Sequence, residues 1–123
     1  MDLKSYFEDT QGLGVLATAD ASGKVDVAVY GRPHVIDEHT VAFIMADRLS
    51  HRNLQSNPKA AYLFAEQGPG YKGHRLVLTR LREDTDPKLI DSMRRKKRPC
   101  PDEESPTALV FFHIEEIRPI VGG

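Results

Sequence analysis

The sequence has no tryptophan, one cysteine and three methionines among its 123 residues. A single cysteine forms neither a disulfide within the chain nor a cysteine-based metal cluster, which excludes disulfide-stapled scaffolds and zinc ribbons. No apolar run approaches the ~20 residues that a membrane-spanning helix needs. The charged start, MDLKSYFEDTQ, lacks the apolar segment of a secretory signal. We therefore expect a cytoplasmic protein without a membrane partner.

An excess of charge of one sign is also absent. Seventeen Lys and Arg residues face 18 Asp and Glu residues, which gives a net charge of −1. No overall field attracts nucleic acid or anionic lipid, so any anion-binding site must be local. The hydrophobic fraction of 40% is ordinary for a globular protein. The length predicts a single domain covering residues 1–123.

Hydrophobic periodicity and turn signals predict six strands joined mostly by hairpins, with three short helices at the connections. The segment VDVAVYGRPHV shows the clearest alternation, with Val25, Val27 and Val29 on one face and Tyr30 and Arg32 on the other. An antiparallel sheet of this size curls closed to hide its edges, so we expect a small closed barrel flanked by helices, in a mainly β protein of the α+β class. The helices are predicted at 2–10, 48–57 and 87–94, and the strands at 13–20, 25–35, 40–46, 59–66, 74–83 and 107–120.

The segment ADRLSHRNLQSNPKAAYLF, residues 46–64, places Arg48, Ser50, His51 and Arg52 at the start of a helix about two turns long. Such a start already carries partial positive charge from its unpaired amides, so further cations are unfavourable unless an anion binds among them. The amides, the Ser50 hydroxyl and the two arginines could together hold a phosphate group. The alternative is an ordinary solvated helix, with Ser50 as its N-cap and the arginines in water.

Other motifs are open to two interpretations each. Gly31 lets a ligand approach the backbone beside Tyr30, or the Gly-Arg-Pro sequence is only a kink and Tyr30 packs in a dimer interface. The loop GPGYKG is either a lid, in which Tyr71 stacks on a ring, or an inert connection. The five histidines show no paired ligand spacing, so no metal site is predicted. The run RRKKR, residues 94–98, suits the end of a helix better than a nucleic-acid site.

The order of the predicted elements, the segment SHRNLQSNPKAAYLF and the hairpin GVLATADASGKVDVAV resemble the pyridoxamine 5'-phosphate oxidase-like family of FMN-binding proteins. Over nearly the whole chain, the resemblance implies a six-stranded antiparallel split β-barrel with short flanking helices. It implies a homodimer that binds FMN in grooves between the subunits, closed by the partner's GPGYKG loop or last strand. The cofactor-binding residues that it implies are Ala28, Val29, Tyr30, Gly31, Arg32, Met45, Ala46, Arg48, Leu49, Ser50, His51 and Arg52.

The sequence departs from the family pattern at two places. Ser50 stands where family members often carry a lysine, and we expect Arg48 to replace that charge. The chain end IRPIVGG, in a sequence without tryptophan, lacks the substrate-binding Arg, His and Trp of the true oxidases. Oxidation of pyridoxamine phosphate is therefore not the expected activity.

The leading hypothesis is an FMN-binding oxidoreductase or electron-transfer protein, with its small-molecule substrate or redox partner undetermined. The flavin would supply the chemistry, and no catalytic side chain is evident in the sequence. One alternative is a binder of haem or another phosphorylated cofactor on the same fold, with His51, His74 and His113 as candidate haem ligands. The other is a structural dimer with a vestigial groove.

Overall fold

The computed structural model describes residues 2–94 and 107–122, so Cys100 and most of the basic run lie outside the described residues. No helix in the described parts of the chain is long and apolar enough to cross a membrane. The mainly β character and the three short flanking helices are confirmed. The helices are α1 (Leu3–Asp9), α2 (Leu49–Ser56) and α3 (Pro87–Met93). The strands are β1 (Gly12–Ala19), β2 (Val25–Val29), β3 (His34–Asp37), β4 (Thr40–Ala46), β5 (Lys59–Glu66), β6 (Gly73–Asp84) and β7 (Thr107–Pro119).

All strand pairs are antiparallel, and the strands lie in the order β2-β1-β5-β6-β7-β4-β3. The two edge strands, β2 and β3, are neighbours in the chain and are joined by residues 30–33 only. Because so short a connection spans at most roughly 17 Å, the sheet must curl until its edges approach each other. The edges do not pair, so the closed sheet that we expected is wrong.

The described residues contain seven strands where the sequence predicted six. The difference lies in the segment VDVAVYGRPHV, which forms β2 and β3 instead of one strand. Pro33 has no backbone N–H to donate to a sheet ladder, and the chain crosses here from one edge of the sheet to the other. The alternation predicted for this segment is correct up to Val29 and ends where pairing to β1 ends.

The core lies between the inner faces of the strands and helix α1. Leu3 and Phe7, one turn apart, are the buried residues of α1. Phe43 on β4 packs edge-on against Phe112, with ring centroids 5.8 Å apart, and lies 4.9 Å from the ring of Tyr62. Buried aromatic rings therefore form a rigid wall on the inner side of the sheet.

Local signals explain where the flanking helices begin. The Asp2 side chain accepts a hydrogen bond from the Ser5 amide and caps α1. The predicted cap of α3 is confirmed, because Asp86 accepts from the Lys88 amide and Pro87 opens the helix. Ile90 anchors α3 against a small cluster on β4 and β7.

The outer face of β2, β1 and β5 is apolar, and much of it is open to solvent. Val27 is 66% exposed and pairs with Ala17, which pairs in turn with Ala61 on β5. Directly paired residues point to the same side of a sheet, so an apolar surface runs across all three strands. We call this surface the outer apolar face; its residues are Leu13, Val15, Ala17, Ala19, Val25, Val27, Val29, Ala61, Leu63 and Ala65.

Candidate functional site

Helix α2 connects β4 to β5 and packs against β1 and β2. Its Asn53 is buried and donates through Nδ2 to Thr18 Oγ1 at 3.1 Å. Its C-cap residue, Asn57, donates to the Asp20 carbonyl at 3.4 Å. With Leu54 also buried, these contacts hold the helix against the end of β1.

The first turn of α2 has no side-chain cap. Arg48 occupies the N-cap position and makes no cap hydrogen bond, because a guanidinium has only donors. The alternative that Ser50 caps the helix is therefore wrong. The amides of Leu49, Ser50 and His51 precede the first intrahelical bond, which runs from the Arg52 amide to the Arg48 carbonyl at 3.0 Å. These amides are free of intrahelical acceptors and suit an anion.

Tyr30 and Ser50 come together beside this helix start. Ser50 is only 3% exposed, and its side chain lies near enough to that of Tyr30 to lower the Tyr30 pKa. The Tyr30 ring packs edge-on against Phe43, with centroids 6.0 Å apart. Burial raises the pKa of Tyr30, and the Ser50 side chain and the charge of Arg48 offset this only in part. Tyr30 therefore keeps its proton and can donate a hydrogen bond.

The predicted backbone contacts on β2 lie next to this cluster. Gly31 is exposed, and a Cβ placed on it would meet no atom within 4 Å. Ala28 is half-buried on the inner side of β2, whereas Val29 belongs to the outer apolar face. The inner side of β2 and the backbone at Gly31 are thus accessible to a planar ligand lying along the strand.

The predicted residues around the end of β4 differ in exposure. Met45 is buried in the main core, so it could offer a ligand only its backbone. Ala46 is half-buried at the strand end, and Leu49 is exposed in the first turn of α2. Between the buried residues Met45 and Ser50, the chain is therefore accessible from Ala46 to Leu49.

Arg32 is directed toward α1. Its guanidinium Nη1 donates to the carbonyl oxygens of Phe7 at 2.8 Å, Glu8 at 3.2 Å and Thr10 at 3.2 Å. These are carbonyls at the end of α1, where a cation also suits the helix dipole. This guanidinium therefore stabilises the end of α1, and its assignment to the cofactor stays a prediction.

We expect Arg32→Ala to lower the free energy of unfolding by about 2 kcal/mol, because the carbonyls at the end of α1 lose a charged donor. Urea titration measures this change. Lys72→Ala, a substitution in the exposed β5–β6 loop, serves as the control and should leave the midpoint unchanged. A stable Arg32→Ala variant with weakened FMN binding would instead place Arg32 in the cofactor site.

His51 and Arg52 contact carboxylates. His51 Nδ1 lies 3.2 Å from Asp47 Oδ1, and Nε2 lies 2.7 Å from Glu83 Oε1. Arg52 is 69% exposed and its Nε lies 3.9 Å from Asp47 Oδ1. Glu83 also accepts from Gln55 at 2.6 Å. Both ring nitrogens of His51 are therefore occupied within the protein.

Neither a protein-family model nor a curated protein matches this chain. Solved structures match nearly all of it. An FMN-binding protein from Syntrophomonas wolfei superposes with a TM-score of 0.77 at 16% sequence identity, covering 98% of this chain and 85% of its own. HupZ from Group A Streptococcus superposes with a TM-score of 0.73 at 20% identity, covering 99% of this chain and 94% of its own. A proposed pyridoxamine 5'-phosphate oxidase from Lactobacillus delbrueckii superposes with a TM-score of 0.70 at 20% identity, covering 95% of this chain and 91% of its own.

This chain has the fold of the pyridoxamine 5'-phosphate oxidase-like split barrels. The resemblance stated from the sequence is confirmed at that level. In this split barrel, three of the implied site residues, Tyr30, Arg48 and Ser50, come together although they lie in two different segments.

The other candidate motifs of the split barrel lie elsewhere on the sheet. Tyr71 is almost fully exposed in the loop between β5 and β6. His74 packs edge-on against Tyr6, with centroids 5.0 Å apart, and its Nδ1 is buried without a hydrogen-bond partner. The rings of His39 and His113 lie 6.3 Å apart. Across residues 2–94 and 107–122, no group of three or more His, Cys, Asp or Glu side chains is arranged to hold a metal ion.

Two residues that shape the split-barrel site escaped sequence reasoning. Tyr62 is fully buried on β5, and its hydroxyl donates to the Gly31 carbonyl at 3.0 Å and lies 3.3 Å from the Tyr30 carbonyl. The sequence did carry one signal for Tyr62: its hydroxyl is a lone polar group on the inner face of an apolar strand, and a buried hydroxyl needs a hydrogen-bond partner. Glu83 carried no signal, because its contact with His51 joins residues 32 positions apart.

Proposed function

We propose that this protein is an FMN-binding flavoprotein in which the phosphate of FMN is held at the start of α2. The observation that carries the proposal is the uncapped first turn of the helix, where Arg48 occupies the N-cap position and cannot accept from the amides. The FMN-binding protein from Syntrophomonas wolfei, which shares this fold, supports the choice of cofactor.

The phosphate would be bound by donors of three kinds. The first amides of α2 point out of the helix start and carry its partial positive charge. The Ser50 hydroxyl and the Arg48 guanidinium add a neutral and a charged donor. Each hydrogen bond to a charged group contributes about 1.5–3 kcal/mol, so this set is sufficient to anchor a dianionic phosphate.

The isoalloxazine ring would lie along the inner side of β2. The backbone of Tyr30 and Gly31 is held there by the Tyr62 hydroxyl, and Phe43 supports the Tyr30 ring from behind. A rigid, accessible strand of this kind offers main-chain donors and acceptors to the polar edge of the ring. When bound, the flavin supplies hydride or single-electron transfer, and the residues named here bind and orient it.

We infer that the protein functions as an oxidoreductase or electron-transfer protein and that it acts as a homodimer. The outer apolar face combines three strands in one surface, and large exposed apolar patches mark interaction sites. A second copy is the occupant that suits it, since an isologous contact pairs the face with itself. Strand β2 would then contact FMN on its inner side and the partner on its outer side.

The Arg48→Ala variant tests the phosphate site. We expect it to weaken FMN binding by about tenfold or more, the loss of one charge-assisted contact, and to leave riboflavin binding unchanged, because riboflavin has no phosphate. Quenching of flavin fluorescence on titration measures both dissociation constants. Lys88→Ala, which removes an exposed lysine on α3, is the control.

The absorption spectrum of the purified protein separates the proposal from its alternatives. A flavin double band, present at purification or appearing on addition of FMN, supports it. A Soret band would assign the groove to haem instead. A spectrum without a bound chromophore after FMN titration would contradict the flavoprotein assignment. In the binding titrations, an Arg48→Ala variant that binds FMN and riboflavin with equally weakened affinity would remove Arg48 from the phosphate site.

A further inference from the structure

The first turn of α2 carries an imidazole placed between two carboxylates. His51 Nδ1 faces Asp47 at 3.2 Å, and Nε2 faces Glu83 at 2.7 Å. A neutral imidazole has one N–H and one lone pair, so it can donate to only one carboxylate. Both contacts are favourable together only when His51 is protonated. The geometry is therefore that of an imidazolium bridging Asp47 and Glu83.

We propose that protonated His51 is a positioning residue for the FMN phosphate. It neutralises the charge of Asp47, and it links the first turn of α2 to β6 through Glu83. The inference rests on the function proposed above. It gives His51 a role different from direct contact with the cofactor, since both ring nitrogens are already engaged.

Charged groups from each neighbouring element face this bridge. From β6, Arg80 donates to Glu83 through Nε at 3.0 Å and through Nη2 at 2.9 Å. From α2, Gln55 Nε2 donates to Glu83 and lies 3.4 Å from His51 Nε2. Arg52 lies near Asp47 on the solvent side.

The strands packed beneath α2 present mostly uncharged groups to it. Thr18 on β1 is bonded to Asn53, and the neutral hydroxyl of Tyr30 lies near Ser50. Asp26 on β2 acts on Tyr30 through its charge. The groups in direct contact with His51 are therefore the two carboxylates and the Gln55 amide.

Loss of the His51 proton has two consequences, and both weaken FMN binding. The Asp47 carboxylate, one residue before Arg48, loses its bridging cation and repels a dianionic phosphate at the helix start. One ring nitrogen then directs a lone pair at a carboxylate, which breaks one of the two bonds and loosens the first turn of α2. Both changes weaken FMN binding as the pH rises.

The direction of the pKa shifts agrees with this bridge. Burial lowers the pKa of His51, but the hydrogen bonds to Glu83 and Asp47 outweigh it and hold the pKa above its ordinary value. The stability that His51 contributes is thus complete below its unfolded pKa of about 6.5 and is lost as the pH rises through the folded pKa. Burial raises the pKa of Glu83, but the hydrogen bonds from Gln55, His51 and Arg80 outweigh burial and hold the pKa below its ordinary value. The stability that Glu83 contributes is therefore lost as the pH falls through its folded pKa.

Flavin titrations of the full chain between about pH 7 and pH 9 test the proposal, a window in which the phosphate of FMN is already largely dianionic. For the native protein we expect FMN affinity to fall by roughly three- to tenfold with rising pH, the effect of one charge near a helix start. Riboflavin affinity should stay constant. His51→Gln should bind FMN weakly across the whole range with no pH dependence. His113→Gln, which alters a half-buried histidine on β7, should keep the native profile.

A second variant keeps the test sound if His51→Gln fails to fold. Asp47→Asn removes the carboxylate that His51 neutralises, so it should bind FMN more tightly than the native protein at the alkaline end of the window. FMN binding whose pH dependence is the same in the native protein and in these variants would overturn the role of His51 while the proposed function stands. Absence of FMN binding at every pH would overturn the proposed function itself, and this inference with it.

Discussion

Gly14→Ala should lower the free energy of unfolding by about 3 kcal/mol or more, a large overpacking effect. A Cβ at Gly14 would overlap the Tyr62 hydroxyl and the Tyr30 carbonyl oxygen. Tyr62 is fully buried and cannot move aside, and the Tyr30 amide donates to the Gly14 carbonyl at 3.0 Å. The added methyl group must therefore push apart the contacts that position the backbone of the proposed flavin groove.

Urea unfolding of Gly14→Ala and Gly31→Ala provides the measurement and its control. A Cβ on Gly31 meets no atom within 4 Å, and Gly31 is not among the glycines with a positive φ angle. Gly31→Ala should therefore leave the unfolding midpoint unchanged or raise it slightly, through the entropy of the unfolded chain. Equal destabilisation by the two substitutions would show that the close approach at Gly14 does not exist.

Val27→Asp should convert the proposed homodimer into monomers, with a dimer dissociation constant raised by roughly a hundredfold or more. Val27 lies in the outer apolar face, opposite Ala17 on β1. An isologous contact would bury the new carboxylate of each copy within the same interface, without a partner for either charge.

Light scattering after gel filtration gives the molar mass of each variant. Since Val27 is 66% exposed in the protomer, the substitution should leave the protomer folded, which circular dichroism checks. Val121→Asp, at an exposed valine outside the outer apolar face, is the matched control and should remain dimeric. A native protein of monomer mass, or a Val27→Asp variant of dimer mass, would contradict this use of the face.

Much of the fold was predictable from local sequence. The predicted bounds of β4 and β5 are confirmed, because each is a short apolar run ended by turn residues. The cap and the first proline of α3 were visible as Asp86 and Pro87. The split of residues 25–35 was not predicted, because its alternation continues across Pro33 and the break depends on where the sheet edges lie.

The candidate site was predictable only in part. Arg48 and Ser50 were predicted as site residues because a helix start with excess cations is unfavourable without an anion, and that assignment stays a prediction. The approach of Tyr30 to Ser50 and the direction of Arg32 were not predicted, since both bring together residues 20 or more positions apart. The alternation of apolar and polar residues divided β2 into two faces. Which of these faces is exposed in the protomer depends on the position of α2.

By itself, the sequence predicted most of the strand and helix segments, the excess of cations at the start of α2 and the family resemblance, because periodicity, caps and turns act over a few residues. Only the tertiary structure decided the order of the strands, the open edges between β2 and β3 and the bridge from His51 to Glu83. These features depend on contacts between residues far apart in the chain, and such contacts exist only once the whole sheet has curled.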